Sequence, residues 1–495
     1  MKYRWHSFVS INFRVHLQPI VIYCSLTVTA NLNSDIMTQR SNSVDIRDLQ
    51  DIQTPFGVCL SGIYKRSFAY ITIKDRLPVI LTKIIDTLSR NKENIAEIYG
   101  ENATEEIKQI TGFISKLKNE IATNKTLKPL QLLPNGKDND AEEWNKYLIK
   151  RTEIEEGTPT WFNTSWLYCE CYMYRALAQE FALLKSMKNY DPFEQQKQSA
   201  FTNSLASIEA LSTYTVNLIH KVGNLSIVET KDELFKLLKS NLWGNKCDLS
   251  LSAGAEVSQS TNPIEVLKTL DKDILVNNLE FVWNLLRNKD SDDTNIVDII
   301  LDNAGYEFFT DLCLAAFLIA SKLARKIRFY VKRYPWYISD TTANDFHWTL
   351  TYMENSSNES IQELANYLKN NVWSIEVELY WTSPYDFAEM KKRDPKLYAK
   401  LSEAKLAIFK GDLNYRKLLG DINWEYTTEF RQSLRGFHPT NILSLRTVKS
   451  DVCVGLVPGV AEELFKEDES WMFTGQYGLI QTTIAGTCQC SNKTC

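Results

Sequence analysis

From about Ser67 onward, Leu77, Ile80, Leu81, Ile84, Ile85 and Leu88 recur at steps of three and four residues, with Pro78 placed for a first helical turn. That is the core-facing stripe of a helix. Similar stripes predict helices over 103–124, 161–187, 199–222 and 231–242, with a polar connector at 133–141 containing Pro134-Asn-Gly136. Beyond about Asn245 the texture changes to short β-rich runs alternating with helices expected at 305–326, 343–353 and 360–370. Residues 296–301, 327–331, 406–409 and 442–445 read as buried strands, and 373–380 alternates apolar with polar residues as an edge strand does. The pattern predicts an α/β protein: a helical N-terminal part packed on a Rossmann-like α/β/α domain with a largely parallel sheet. The expected organisation is a disordered or non-native leader at 1–66, a helical domain at 67–242, an α/β domain at 243–480 and a Cys-containing tail at 481–495.

Charge and composition narrow the partners. The chain has 495 residues, with 56 basic against 61 acidic side chains and a net charge of −5, and no Lys/Arg block that would track a phosphate backbone. Nucleic acid is excluded as the primary partner. The longest apolar run in the body, 312–320, falls far short of the roughly 20 residues a spanning helix needs, so no membrane is expected. Ten cysteines are scattered rather than framed, and Cys169, Cys171, Cys247, Cys313 and Cys453 sit inside apolar segments. Reduced thiols in the cytoplasm are expected, with the nucleus as a second location. Lys2, Arg4 and Arg14 ahead of an apolar patch at 19–30 loosely resemble a targeting signal; the competing reading is sequence upstream of a start at Met37. Cys488, Cys490 and Cys495 are read as a frayed end lacking the partners of a zinc site.

The chemistry is expected where the strands end. In an open α/β sheet, ligands sit outside the carboxyl ends of the strands. The first strand runs into Asp302-Asn303, Asp340 lies just past the second, the third runs into Lys410-Gly-Asp-Leu-Asn-Tyr-Arg416, and the fourth into Arg446-Thr-Val-Lys449. Asp302, Asn303 and Asp340 offer hard oxygen ligands suited to Mg²⁺ or Mn²⁺; a helix cap or turn competes for the Asp-Asn pair. Arg416 has the geometry to clamp a phosphate and Lys449 to add a point charge. No Gly-x-x-x-x-Gly-Lys loop, Gly-x-Ser-x-Gly elbow or His-Glu-x-x-His helix exists, and His347 and His438 beside aromatics read as packed. Trp243 is expected to anchor the junction of the two parts, with Asn245 and Asp248 as alternatives that reach the site. Glu170 is expected to pair with Arg175 or another base.

These residues carry a resemblance. Ser67-Phe-Ala-Tyr-Ile-Thr-Ile-Lys-Asp-Arg76, Leu242-Trp-Gly-Asn-Lys-Cys-Asp-Leu-Ser250, Leu301-Asp-Asn-Ala-Gly-Tyr-Glu307, Ser339-Asp-Thr-Thr342, Phe409-Lys-Gly-Asp-Leu-Asn-Tyr-Arg-Lys417 and Leu445-Arg-Thr-Val-Lys449 resemble the metal-dependent damage-control phosphatases. More narrowly they are similar to the Arg-Thr-x-Lys subgroup, also described as protein-glutamate O-methyltransferases. The resemblance implies hydrolysis of small sugar phosphates such as fructose 1-phosphate and fructose 6-phosphate with Mn²⁺, Co²⁺, Ni²⁺ or Mg²⁺. It implies Asp302, Asn303 and Asp340 as metal ligands, with Asp302, Arg416 and Lys449 catalytic. Asp412, Leu413, Asn414, Tyr415, Arg416 and Lys449 become substrate-binding. The alternative it implies is S-adenosylmethionine-dependent methylation of a protein substrate's glutamates, with Asp302, Asn303, Glu307 and Asp340 lining the cofactor site. A non-enzymatic helical scaffold is the remaining reading.

Overall fold

Seven strands form one sheet in the order β1-β7-β6-β5-β2-β3-β4. Their ranges are β1 Ile274–Asn277, β2 Ile296–Ile300, β3 Lys326–Val331, β4 Trp373–Val377, β5 Leu406–Lys410, β6 Ile442–Thr447 and β7 Gly478–Thr483. The computed structural model describes residues 49–132, 140–244, 263–288, 295–371 and 373–485. Every pairing is parallel except β6 with β7, so the sheet is mostly parallel as the strand texture predicts. β4 is the edge strand expected from its alternation.

The two-residue period of each strand sends alternate side chains to opposite cores. Val297 and Ile299 of β2, Leu406 and Ile408 of β5, and Leu443 and Leu445 of β6 enter one core; Ile300, Ala407, Phe409 and Ile442 enter the other. The first core is closed by the helices Leu205–Lys221, Ile227–Leu242 and Tyr306–Ala320, the second by Leu77–Arg90, Ala103–Ala122 and Trp166–Ala182. Helices before residue 242 therefore cover both faces. The Tyr306–Ala320 helix is apolar almost all round because it is enclosed between the sheet and two other helices.

The chain departs from the sequence expectations in several places. Residues 49–66, expected in the leader, are packed: Leu60 is fully buried, its N–H donates to Asp421 O at 2.8 Å, and its carbonyl accepts from Trp166 N at 2.8 Å. Backbone hydrogen bonds rather than an apolar stripe hold this segment, so periodicity gave no signal. The helix Asp140–Ile154 arises where a connector was expected to end, and the helix expected over 199–222 is broken between Thr202 and Leu205. β1 and β7 were not anticipated. Cys169, Cys171, Cys313 and Cys453 are buried free thiols, whereas Cys247, the tail cysteines and residues 1–48 lie outside the described residues. Among the described residues no helix is long and apolar enough to cross a membrane.

Candidate functional site

From β2 the chain proceeds outward through β3 to β4, then returns to place β5 on the other side of β2. This reversal leaves a crevice beyond the carboxyl ends of β2 and β5, the position where open α/β sheets bind ligands. Asp302 leaves β2 there and Gly411 leaves β5. Gly411 adopts φ +78°, and a Cβ at that position would lie 1.8 Å from Asp302 Oδ2, so only glycine permits the approach.

The loop after β3 is fastened to the exit of β2. Thr341 N donates to Asp302 O at 2.7 Å, Ala304 N to Ser339 O at 2.7 Å, and Asn303 pairs with Asp340 as an isolated bridge. Lys332 Nζ donates to Leu301 O at 2.8 Å and lies 3.0 Å from Asp340 Oδ2, fixing that carboxylate from behind. Just before it, Tyr337 and Ile338 have φ of +44° and +71°. A β-branched residue in that region is a strained outlier, held here by the fastening on both sides. Asp302, Asn303 and Asp340 thus line one cleft of ≈ 190 Å³ together with Asp412, Leu413, Arg416 and Lys449.

Other expected residues are placed differently. In the helix Gly411–Leu419 only one face meets the cleft, and Asn414 and Tyr415 are not on it. Asn414 Nδ2 donates to Lys410 O at 2.8 Å and Tyr415 Oη to Gln481 Oε1 at 2.8 Å, so both tie the helix to the sheet. Glu307 also does not line the cleft: it accepts from Asn303 Nδ2 at 2.9 Å and lies 3.4 Å from Lys410 Nζ, which itself sits 3.0 Å from Asp311. Gly244 lets the chain pass close to Glu307, where a Cβ would come within 3.1 Å of its Cα. Trp243 is fully buried near Gly478, as a junction anchor would be, while Asn245 and Asp248 lie outside the described residues.

The cations are held unequally. Arg416 is buried with Nε 2.8 Å from Asp421 Oδ1, Nη1 2.7 Å from Glu170 Oε2, and its plane 3.4 Å from the Trp166 ring centre. Glu170 therefore pairs with Arg416, and Arg175 pairs with Asp140 at 2.8 Å instead. Arg446, with no exposed surface, donates to Asp412 Oδ1 at 2.8 Å and to Ser450 O at 3.1 Å. It sets Asp412 and the turn that carries Lys449. Phe68, Arg76, Trp166, Glu170, Tyr337 and Thr447 complete the wall; Thr447 lies in the named end of the fourth strand, and strand-end reasoning missed the other five.

Electrostatics single out Asp302. Burial raises its carboxyl well above the ordinary range, Glu307 and Asp340 raise it further, and Lys332 and Lys449 offset this only in part. Among the described residues it forms no ion pair, and its side chain accepts only from Asn303 Nδ2 at 3.0 Å. Asp340 is also raised, by burial opposed by Lys332. A buried carboxylate without a cation is costly, and a divalent ion would discharge that cost. No group of three His, Cys, Asp or Glu side chains forms a cage among the described residues. The donor set of two carboxylates and one amide oxygen suits an ion that keeps waters and takes its remaining ligands from a substrate.

A family model described as the damage-control phosphatase ARMT1-like domain matches residues 72–464. The chain belongs to this family. A relative from Xenopus tropicalis named damage-control phosphatase ARMT1 is 44% identical over 437 residues, covering 86% of this chain and 98% of its own. The Homo sapiens protein of the same name is 42% identical, over 85% of this chain and 97% of its own. A crystal structure of a DUF89 family protein from Pyrococcus horikoshii aligns with 66% of this chain and 87% of its own, at 18% identity and a TM-score of 0.35, too loosely to bear on the site.

Proposed function

We propose that this damage-control phosphatase family member is a divalent-metal-dependent phosphatase of small sugar phosphates, with fructose 1-phosphate and fructose 6-phosphate as the expected substrates. The observation that carries the reading is Asp302: a buried carboxylate with no ion-pair partner among the described residues, at the switch point of the sheet, beside Asn303 and Asp340 and facing Arg416 and Lys449 across one cleft. Asp302, Asn303 and Asp340 are the residues to hold the ion, with Mn²⁺, Co²⁺, Ni²⁺ or Mg²⁺ suited to such oxygen donors. When bound, such an ion neutralises phosphoryl oxygens and acidifies a water.

The chain's own groups do the rest. Lys332 fixes Asp340, and the 339–341 loop fixes the Asp302 backbone, so the ligands are set before substrate arrives. Arg416 is locked by two carboxylates and presents its remaining N–H groups to the phosphate without a further ordering cost. Lys449 adds positive charge where the transferred group becomes more anionic.

Phosphate release from a panel of hexose phosphates, with each metal and with chelator, tests the reading, using Asp302→Asn as the control. Metal-dependent release that Asp302→Asn abolishes is expected; release indifferent to chelator, or undiminished in a folded Asp302→Asn protein, refutes it. No feature of the cleft favours methyl transfer with S-adenosylmethionine, because Glu307 is turned toward Lys410 and Asn303. Calorimetric titration with that cofactor tests it directly.

A further inference from the structure

The cleft contains three cationic side chains from three parts of the chain: Arg76, Arg416 and Lys449. They are not equally free. Arg416 has each of its guanidinium nitrogens on a carboxylate, with Asp421 and Glu170 together supplying two negative charges against its one. A phosphate approaching Arg416 therefore also meets the charge of those partners. Arg416 is a rigid donor, but the field it offers is largely spent.

Arg76 is the opposite case. It is exposed, forms no ion pair among the described residues, and rests its guanidinium 4.9 Å above the ring of Phe68. A cation on an exposed aromatic face is held weakly, by roughly 0.5–1 kcal/mol, so it can leave for an anion at little cost. The shelf beneath it is firmly built: Phe68 stacks on Phe473 at 4.8 Å, meets Trp166 edge-on at 5.9 Å, and donates its N–H to Asp451 Oδ2 at 2.7 Å. Asp451 lies two residues past Lys449, so the shelf under Arg76 and the turn bearing Lys449 are fastened to each other.

The local backbone serves the same end. Arg76 closes a π-helical turn, Thr72–Arg76, in which Leu77 N–H bonds to Thr72 O, before a regular helix resumes with Pro78 in its first turn. A π-turn inserts a residue into the helical register and re-aims the side chains after it, and such turns are frequent at functional sites.

We infer that Arg76 is a substrate-binding residue of this cleft: it swings from the Phe68 ring onto the phosphate and, with Lys449, supplies the net positive charge that Arg416 cannot. The inference rests on the phosphatase reading for its substrate but not for its anion.

Inorganic phosphate titrated into the Mn²⁺-loaded full chain by calorimetry, and used as a competitive inhibitor of fructose 1-phosphate hydrolysis, reads the site in two independent ways. Arg76→Ala is expected to weaken phosphate binding and raise KM roughly tenfold to a hundredfold, the range of a lost charged hydrogen bond. Its kcat changes less, and its Mn²⁺ affinity and melting temperature stay as in the wild type. Arg76→Lys recovers part of the loss. Phosphate affinity and KM unchanged in Arg76→Ala overturn the inference and leave the phosphatase reading intact. Phosphate binding that depends on Arg76 in a chain without hydrolysis upholds the anion site and refutes that reading. A wild type that binds no phosphate at all overturns the inference.

Discussion

Replacing Gly411 with alanine separates a backbone cost from a site cost. At φ +78° an L-residue pays about 1–2 kcal/mol for the left-handed backbone alone. At Gly411 the new Cβ also falls 1.8 Å from Asp302 Oδ2, and restoring an ordinary contact of 3.4 Å requires the carboxylate to withdraw by 3.4 − 1.8 = 1.6 Å. A shift of ~1 Å in a reacting group costs on the order of a hundredfold in rate. Gly57 is the matched control: its φ is also +78°, and a Cβ there meets nothing within 4 Å. Gly57→Ala is expected to lower stability in urea unfolding by about 1–2 kcal/mol and to leave metal-dependent phosphate release within about twofold of wild type. Gly411→Ala is expected to lose stability beyond that and to lose at least about a hundredfold in release at saturating Mn²⁺. A Gly411→Ala protein whose stability cost equals that of Gly57→Ala, and whose activity survives, refutes the claim that Asp302 is held where the chemistry needs it.

Three further outcomes follow from the same physics. Asp302→Asn removes a buried carboxyl whose charged form burial disfavours, so the metal-free protein should gain roughly 1–2 kcal/mol near neutral pH while losing activity, and Mn²⁺ should raise the melting temperature of the wild type alone; equal metal-induced shifts in the two proteins contradict this. Arg446→Met should cost about 3–5 kcal/mol in urea unfolding, because Asp412 and the carbonyls of Ser450 and Val452 lose their shared donor. Asp451 has its carboxyl pushed up to about 7 by burial, against an ordinary 3.8, even though the Phe68 N–H favours the charged form. The native state therefore keeps a proton that the unfolded chain has released, and stability declines as pH rises from about 4 to 7 and stays lowered above. Asp451→Asn keeps an acceptor for Phe68 N–H and should gain up to ~4 kcal/mol over wild type at pH 8, with the gain vanishing near pH 4; a difference independent of pH overturns it.

The strands that position the site were readable because each is a mostly apolar run, interrupted at most by a single polar residue such as Asp298, Arg328 or Ser444, that stops at a cluster of polar residues. β2, β3, β5 and β6 fall within a residue or two of their expected ends, and Asp302, Asn303, Asp340, Asp412, Leu413, Arg416 and Lys449 do share a cleft. β7 escaped notice because Gly478–Thr483 is half polar and remote from any helix pattern, and its antiparallel pairing to β6 has no sequence mark. Asn414 and Tyr415 belong to the same motif but do not line the cleft, because only one face of the Gly411–Leu419 helix looks into it and a motif taken whole carries no facing information. The contribution of the N-terminal half was harder to see. Trp166 lies on a helix buried on nearly every side, so no polar face advertised it, and Glu170 of the same helix was expected in an ion pair rather than in the cleft wall. Arg76 looked like any exposed charge beside a core stripe.

The hydrogen bond from Phe68 N–H to Asp451 spans 383 residues of sequence. One wall of the cleft is thus made by the first part of the described chain to be synthesised, and it is locked by nearly the last. A polypeptide that stops short of Asp451 can form its early helices, yet the shelf under Arg76 has no fastening to the turn bearing Lys449, and that wall of the cleft stays unfinished.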